Sequence, residues 1–243
     1  VAVIFPATFS SELPSFNLAN TEVTLIPVPD GEAGKSARVV EHIWGELARH
    51  NFTRSDLVVA IGGGTVTDLA GFAAASWLRG IDWVAVPTTL AGMVDASVGG
   101  KTGINSEYGK NLIGAFHSPL SVIIDPSFLE TLSARDISAG MAEVIKCGFI
   151  ADPEILKVAA QCDATSLVSN KSSVLDLITR AVTVKATVVS SDFKESFERE
   201  ILNYGHTFGH AVEIDAKYSL RHGECVAIGM IFIAELSFSL GLI

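Results

Sequence analysis

Histidines and a carboxylate with the spacing of a metal site occur in three motifs of the 243-residue chain. In NYGHTFGH, His206 and His210 are four residues apart and would share one helix face, and His222 follows in RHGE. In GMAEVIK, Glu143 and Lys146 are three residues apart, a spacing that alone usually indicates a surface ion pair. Imidazoles and a carboxylate are typical ligands of a zinc site with one open position. The pattern predicts a metal site, although spacing does not decide which two histidines bind, and surface or capping histidines are the alternative.

A glycine turn in the first half has the character of a phosphate site. The apolar run LVVAI at 57–61 leads directly into glycines 62–64, and a helical stretch begins at Thr65. Glycines let the backbone approach a phosphate, and a helix N-terminus favours negative charge. A second apolar run, WVAV, ends in Pro87 followed by Thr88 and Thr89, which places hydroxyls at the ligand-binding edge of an α/β sheet. Together the ends of these two predicted strands favour a nucleotide-binding site. The glycine spacing is not GxGxxG, however, and an ordinary tight turn is the alternative.

The stretch DASVGGKTGINSEYGKN at 95–111 is polar and glycine-rich. We predict a long loop here, and long loops in compact domains are usually functional. Lys101, Lys110 and Asn111 lie among its glycines, which indicates an anion pocket. Lysines solvated on the surface are the alternative.

The pattern of apolar residues changes near the middle of the chain. Before Asp125, β-branched runs alternate with helical stretches at 35–50 and 65–77, which predicts a Rossmann-like parallel α/β sheet. Its strands are expected at 1–5, 22–28, 57–61, 83–86 and 121–125. From Pro126 onward only helices are predicted, at 133–150, 152–161, 171–191, 203–215 and 222–240.

The predicted domains are therefore an α/β dinucleotide-binding domain at 1–125 and an all-α metal- and substrate-binding domain at 126–243. Because both contribute residues able to do chemistry, we expect the active site in the cleft between them. The chain begins at Val1 and ends at Ile243 within an apolar helical run, so we expect further sequence at both ends.

Composition limits the kinds of partner. The net charge is −10, which argues against nucleic acid and anionic membranes. No run of about 18 or more uninterrupted apolar residues and no signal-peptide pattern is visible. Three cysteines, Cys147, Cys162 and Cys225, lack metal-ligand spacing and suit a reducing compartment. These features indicate a cytoplasmic protein.

Six motifs taken together resemble the 3-dehydroquinate synthase family. They are GGGTVTDLAGFAAASWLRG, VPTTLAGMVDASVGGKTGIN, GKNLIGAFHSP, GMAEVIK, LNYGHTFGHAVE and HGECVAIGM. This family belongs to the sugar-phosphate cyclases, which are related to glycerol and iron-type alcohol dehydrogenases. The resemblance implies conversion of 3-deoxy-D-arabino-heptulosonate 7-phosphate to 3-dehydroquinate and phosphate in the shikimate pathway of aromatic amino acid biosynthesis. It also implies a homodimer that uses NAD and zinc, with cobalt as an alternative metal.

The resemblance also assigns roles to residues. It implies that Glu143, His206 and His222 are the metal ligands, whereas His210 faces the substrate phosphate. The residues that it assigns to the dinucleotide are Glu32, Lys35, Gly63, Gly64, Thr65, Asp68, Thr88, Thr89, Lys110, Phe128, Thr131 and Leu132. Acidic residues beside a ribose favour NAD over its phosphorylated analogue.

Three groups of substrate residues follow from the same resemblance. Lys101, Asn111, His210 and Arg79 would contact the phosphate, with Arg79 reaching across a dimer interface. Lys185 and Arg199 would contact the carboxylate. The hydroxyl-bearing side of the substrate would meet Asp95, Lys146, Glu195 and Asn203.

The implied reaction uses NAD catalytically. A hydride is removed from C5, phosphate leaves by β-elimination, the hydride returns, and the opened ring closes by an intramolecular aldol step. Three alternatives remain: a cyclase for sedoheptulose 7-phosphate or glucose 6-phosphate, a metal- and NAD-dependent polyol dehydrogenase, and an inactive binding protein. Lys185, Arg199 and Asn203 favour the first assignment, since the alternative cyclase substrates carry no carboxylate.

Overall fold

Apolar runs of the first part of the chain form a parallel sheet. The computed structural model describes residues 1–11, 13, 16, 21–162, 167 and 169–243. Its strands are β1 (Ala2–Pro6), β2 (Thr24–Val28), β3 (Leu57–Gly62), β4 (Asp82–Pro87), β5 (Lys101–Ser106), β6 (Gly109–Phe116) and β7 (Ser121–Val122). Five of them pair in parallel in the order β2-β1-β3-β4-β7. The predicted Rossmann-like sheet is confirmed, although the strand expected at 121–125 is only two residues long.

Two helices cover this sheet. Helix α1 (Ala37–Arg49) buries Val40, Ile43 and Leu47, which recur on one helical face. Helix α2 (Gly64–Ser76) follows β3 through the glycine turn. Both helices pack into one apolar core with the buried side chains of the central strands, as crossover helices of a parallel sheet do.

The glycine-rich stretch near residue 100 is not a long loop, so that prediction is wrong. Strands β5 and β6 form an antiparallel hairpin in which Gly103 lies opposite Gly114. A Cβ on Gly114 would lie 2.1 Å from the carbonyl oxygen of Thr102. The glycines there permit close approach of two strands, and composition alone does not distinguish this role from that of a flexible loop.

The described residues divide into two units. One contains Val1–Thr88 and Gly99–Asp125, and the other contains Thr89–Val98 and Pro126–Ile243. One division between the units falls after Asp125, and residues 89–98 group with the helical part. Their π-helical turn, Gly92–Ala96, packs on two long helices of that unit, and an ion pair from Asp95 adds to this attachment.

In the second unit, the regular elements of the part that the structure describes are all helices. Its α-helices are α3 (Ala134–Ile150), α4 (Pro153–Ala159), α5 (Lys171–Ser191), α6 (His206–Asp215) and α7 (His222–Ser239). The helix predicted to begin at residue 203 begins instead at His206, because Gly205 has a left-handed backbone (φ 79°) that interrupts it. Two 3-10 segments, Pro126–Thr131 and Glu198–Asn203, complete this unit.

Helix α7 is long and apolar enough to cross a membrane by length and composition alone. Glu224 and Glu235 interrupt its apolar sequence. The core helix of a soluble protein can meet the same criteria, so this feature is weak evidence for a membrane span.

Candidate functional site

Glu143, His206 and His222 converge in the helical unit. One ligand atom from each lies within 4.8 Å of the others. Glu143 Oε1 is 3.7 Å from His206 Nε2 and 3.5 Å from His222 Nε2. Glu143 is only 2% exposed, and among the described residues its Oε1 has no hydrogen-bond partner. A buried carboxylate oxygen without a partner is costly, so two imidazole nitrogens facing it fit a bound Zn²⁺ or Co²⁺ ion.

Close helix packing brings these three side chains together. Glu143 lies in the middle of α3, whereas His206 and His222 are the first residues of α6 and α7. A Cβ on Gly223 would lie 1.8 Å from the carbonyl oxygen of Ala139, on α3. Only glycine therefore allows the start of α7 to approach α3 so closely.

His210 belongs to a second group that overlaps the first. His210, Glu213 and His222 also place ligand atoms within 4.8 Å of one another. The His210 ring lies 5.5 Å from that of His206 and 5.7 Å from that of His222, measured between centroids. All three histidines are thus neighbours, and the buried, unpartnered oxygen of Glu143 favours the group containing His206.

A buried network of charges adjoins the metal group. Lys146 Nζ donates to Glu143 Oε2 at 2.5 Å and lies 3.7 Å from Asp95 Oδ1. Lys185 donates to both the carboxylate and the backbone carbonyl of Asp95. Lys146 is 2% exposed, so the interpretation of Glu143 and Lys146 as a surface pair is wrong.

The ionisation of this network follows from its geometry. Burial opposes the charged form of Asp95, but Lys185 and Lys146 outweigh it and hold the pKa of Asp95 well below its usual value. Burial also disfavours charge on Lys146, yet Asp95 and Glu143 raise the pKa of its ammonium. Asp95 and Lys146 are therefore both charged at neutral pH.

The histidines of the metal group differ in their electrostatic surroundings. Burial lowers the pKa of His206, assisted by the charge of Lys146. Burial acts in the same direction on His222, but a hydrogen bond to the Glu213 carboxylate and the charge of Glu143 raise its pKa. His206 is therefore the histidine more strongly held in the neutral form that binds metal.

A short loop after α5 presents three more of the predicted substrate residues. Asp192 accepts hydrogen bonds from the backbone N–H groups of residues 196, 197 and 199 and so shapes this loop. Asn203 Nδ2 donates to Glu195 Oε1 at 3.2 Å. Arg199 is buried and donates to the carbonyl of Phe193 at 2.6 Å, and burial lowers its pKa. The structure thus brings Glu195, Arg199 and Asn203 into one short segment that ends in the 3-10 turn Glu198–Asn203.

In the first unit, Lys35 organises the predicted dinucleotide residues. Its Nζ lies 2.6 Å from Asp68 Oδ2, on the first turns of α2, and 2.5 Å from Asn111 Oδ1. Glu32 accepts from Asn105 Nδ2 at 2.6 Å. Lys35 therefore donates to both Asp68 and Asn111, although Asn111 was predicted to contact the substrate phosphate.

Lys110 extends this group of charged residues. Its Nζ is 3.9 Å from Glu32 Oε1. Glu32, Lys35, Asp68 and Lys110, all assigned to the dinucleotide by resemblance, therefore form two contacting pairs, Lys35–Asp68 and Glu32–Lys110.

The glycine turn and the threonines after β4, which were predicted to form a nucleotide-binding site at one edge of the sheet, follow adjacent strands. Strands β3 and β4 pair side by side, with Gly62 opposite Pro87. Thr88 N donates to the carbonyl of Gly62 at 2.9 Å. Gly63 caps α2, so Gly64 and Thr65 lie in its first turn.

The other predicted residues lie in separate parts of the two units. Thr89 accepts from Gly92 N at 3.1 Å, next to the π-helical turn. Phe128 and Thr131 lie in the 3-10 segment Pro126–Thr131, where Thr131 Oγ1 donates to the Phe128 carbonyl, and Leu132 follows it.

Two predicted phosphate-binding cations are exposed in the first unit. Lys101 begins β5, and Arg79 ends the 3-10 turn Trp77–Arg79. Leu78 and Arg79 both have left-handed backbones, with φ of 50° and 69°. Two successive non-glycine residues in this region are strained, and strain of this kind concentrates at functional sites.

Sequence reasoning assigned no role to Glu213, although the motif GHAVE contains it. Its Oε2 lies 3.3 Å from His222 Nδ1, and the residue is 6% exposed. The signal was a carboxylate three residues after His210, on the helix that begins with His206.

The fold is shared with solved sugar-phosphate cyclases. A 2-epi-5-epi-valiolone synthase from Streptomyces hygroscopicus subsp. jinggangensis 5008, solved with NAD+ and Zn2+ bound, is 30% identical with a TM-score of 0.90, over 99% of this chain and 69% of that one. A 2-deoxy-scyllo-inosose synthase in complex with carbaglucose-6-phosphate, NAD+ and Co2+ is 25% identical with a TM-score of 0.81, over 100% and 67% of the two chains. A probable glycerol dehydrogenase from Sinorhizobium meliloti 1021, at 16% identity and a TM-score of 0.65, shares the fold. The class that the fold and site indicate is that of the sugar-phosphate cyclases.

Sequence comparison narrows this class to one family. Models of the 3-dehydroquinate synthase N-terminal and C-terminal regions match residues 25–139 and 140–243. The 3-dehydroquinate synthase of Pseudarthrobacter chlorophenolicus is 56% identical over 214 residues, which are 88% of this chain and 59% of that protein. The enzyme of Thermobifida fusca is 51% identical over 241 residues, 98% of this chain and 66% of that protein. The chain belongs to the 3-dehydroquinate synthase family and spans about three-fifths of the length of these relatives.

Proposed function

We propose that this chain carries the cofactor, metal and substrate residues of a 3-dehydroquinate synthase. The reaction would be a phosphate-eliminating lyase step that converts 3-deoxy-D-arabino-heptulosonate 7-phosphate to 3-dehydroquinate. The observation that carries the proposal is the convergence of Glu143, His206 and His222 beside the buried Lys146–Asp95–Lys185 network. Relatives named for this activity and at least 51% identical over most of the chain support it.

We assign NAD to the first unit. The glycine turn before α2 and the adjacent Thr88 suit a pyrophosphate, since both lie at the carboxyl edge of parallel strands. Lys35 is nearly buried and fixes Asp68, while Glu32 lies on the neighbouring 3-10 turn. These acidic side chains favour the ribose hydroxyls of NAD over a phosphorylated analogue.

We assign the metal to Glu143, His206 and His222, with zinc as the preferred ion and cobalt as the alternative. When bound there, the metal would polarise substrate hydroxyls, and NAD would supply the hydride chemistry. Lys146 holds one oxygen of Glu143, so the other oxygen keeps its direction toward the two imidazoles. The solved relatives that hold NAD+ with Zn2+ or Co2+ support both assignments.

The remaining chain groups bind and neutralise an anionic substrate. Lys185 and Arg199 are buried cations suited to a carboxylate, and Asp95 fixes the direction of Lys185. Glu195 and Asn203 lie in the same loop as Arg199 and would meet hydroxyls. His210, exposed beside the metal group, would face the phosphate.

The enzyme would act as a cytoplasmic homodimer in which Arg79 of one subunit contacts the phosphate bound to the other. The strained backbone at Leu78 and Arg79 supports a fixed direction for this exposed cation. Free Cys147 and Cys225, both buried, suit a reducing compartment.

The test supplies 3-deoxy-D-arabino-heptulosonate 7-phosphate with zinc and substoichiometric NAD and measures phosphate and 3-dehydroquinate. Both products should exceed the NAD present, because each hydride removed is returned. Sedoheptulose 7-phosphate, which has no carboxylate, is the matched control and should not react. NADH accumulating in proportion to product would identify a dehydrogenase instead.

A further inference from the structure

The two candidate histidine ligands each have an oxygen behind the ring. Each Nε2 faces Glu143 Oε1, whereas His206 Nδ1 lies 3.3 Å from the carbonyl oxygen of Tyr204. On the opposite ring, His222 Nδ1 lies 3.3 Å from Glu213 Oε2. A neutral histidine that binds metal through Nε2 carries its proton on Nδ1, so an oxygen there fixes both tautomer and ring direction.

The two rings differ in how firmly packing holds them. The side chain of His206 is 11% exposed, but that of His222 is 44% exposed. An exposed ring keeps more rotamer freedom than a buried one. Glu213 has an 8% exposed side chain and a fixed place on α6, so it can supply the restraint that packing does not give His222.

We propose that Glu213 is a positioning residue for His222. Its carboxylate accepts the Nδ1 proton of His222, directs Nε2 toward Glu143 Oε1, and increases the basicity of the ring toward the metal. This inference rests on the proposed metal site. The alternative is that Glu213 binds a metal directly, together with His210 and His222. In that case His222 would present Nδ1, the nitrogen that faces Glu213, to the metal.

The experiment measures metal affinity without substrate, by chelator competition for Zn²⁺, together with the visible spectrum of the Co²⁺-loaded protein. The variants are Glu213→Gln and Glu213→Ala. Asp215→Asn, an exposed acidic position on the same helix, is the matched control. We expect Glu213→Ala to weaken affinity by about 10- to 100-fold and to alter the cobalt spectrum. Glu213→Gln retains an oxygen acceptor and should lose about tenfold or less, and the control should match wild type.

Three outcomes would overturn the inference. Wild-type affinity and spectrum in Glu213→Ala would show that His222 needs no such partner. Equal weakening in the Asp215→Asn control would indicate a general effect of charge on α6. Loss of metal in His210→Ala as complete as in His222→Ala would make Glu213 a ligand in the second group. Metal binding by a wild-type protein without turnover contradicts only the proposed function, because affinity is measured without substrate.

Discussion

The assignment of the metal ligands among three neighbouring histidines can be tested directly. His206→Ala removes a nitrogen that faces the buried oxygen of Glu143, so metal content after dialysis should fall to a small fraction of the wild-type value. His210→Ala should retain metal while slowing phosphate release. Elemental analysis of both dialysed variants measures this, and equal metal loss in the two would contradict the assignment.

The ion pairs of Asp95 with two buried lysines contrast with a more exposed ion pair in the same unit. Asp95→Asn leaves Lys185 and Lys146 buried without their shared carboxylate, which should lower the free energy of unfolding by about 3–5 kcal/mol. The matched control is Asp176→Asn, which breaks a more exposed pair with Arg180 and should lower the free energy of unfolding much less. Urea denaturation at neutral pH compares the two. Similar losses would mean that burial does not strengthen the Asp95 pairs.

Helix α7 is anchored at its start by Glu224. The carboxylate accepts two hydrogen bonds from Arg135, at 2.5 and 2.7 Å, and one from the backbone N–H of Arg221. These bonds lower the pKa of Glu224 from 4.5 to about 2. The stabilisation is therefore complete above about pH 4.5 and is lost as the pH falls toward 2.

Glu224→Gln should accordingly be less stable than wild type by about 1 kcal/mol at neutral pH, and the difference should narrow as the pH falls toward 2. Urea denaturation across this range measures it. The exposed Glu235→Gln on the same helix is the control and should change stability by less than about 0.5 kcal/mol. A difference in Glu224→Gln that stays constant down to pH 2 would contradict the capping role.

The same glycine-to-alanine change should have opposite effects in two helices. Gly223→Ala forces a methyl group toward the Ala139 carbonyl, which should destabilise the protein by about 1–3 kcal/mol or more and reduce metal affinity by displacing His222. In Gly45→Ala the new methyl would meet only Arg49 Nη2, at 3.4 Å, so helix propensity should stabilise α1 by up to about 1 kcal/mol. Thermal unfolding and chelator competition measure both effects. A harmless Gly223→Ala would contradict the packing argument.

The proposed dimer can be tested by subunit mixing. Arg79→Ala and Lys101→Ala should each be inactive, but a mixed dimer regains one site that has Lys101 from its own subunit and Arg79 from the other. With random pairing, about half the dimers are mixed and each has one intact site, so activity should recover to roughly one quarter of wild type. Mass spectrometry confirms exchange. Proven exchange without recovery would leave Arg79 as a cation that stabilises the end of a helix.

The sequence by itself determined the elements and the chemical types of the site residues. Periodicity is a local property, so α5 occupies the predicted residues 171–191, and the apolar run at 57–61 becomes β3. The types and order of the motif residues were sufficient to indicate a metal site, a nucleotide turn and the family. A glycine signal was misleading in the stretch 95–111, part of which belongs to the paired strands β5 and β6 and not to a loop.

Tertiary structure decided which of these residues meet. His206 and His210 are equivalent by spacing. Only the packing of α3, α6 and α7 places Glu143 Oε1, which has no hydrogen-bond partner among the described residues, between His206 and His222. Likewise, a glutamate and lysine three residues apart have the same spacing on a surface as in a core, and the burial of Lys146 distinguishes the two. The physical reason is that spacing along a helix fixes only the face on which a side chain lies. The partners of that side chain come from segments distant in sequence. Their approach depends on close packing, such as that of Gly223 against Ala139.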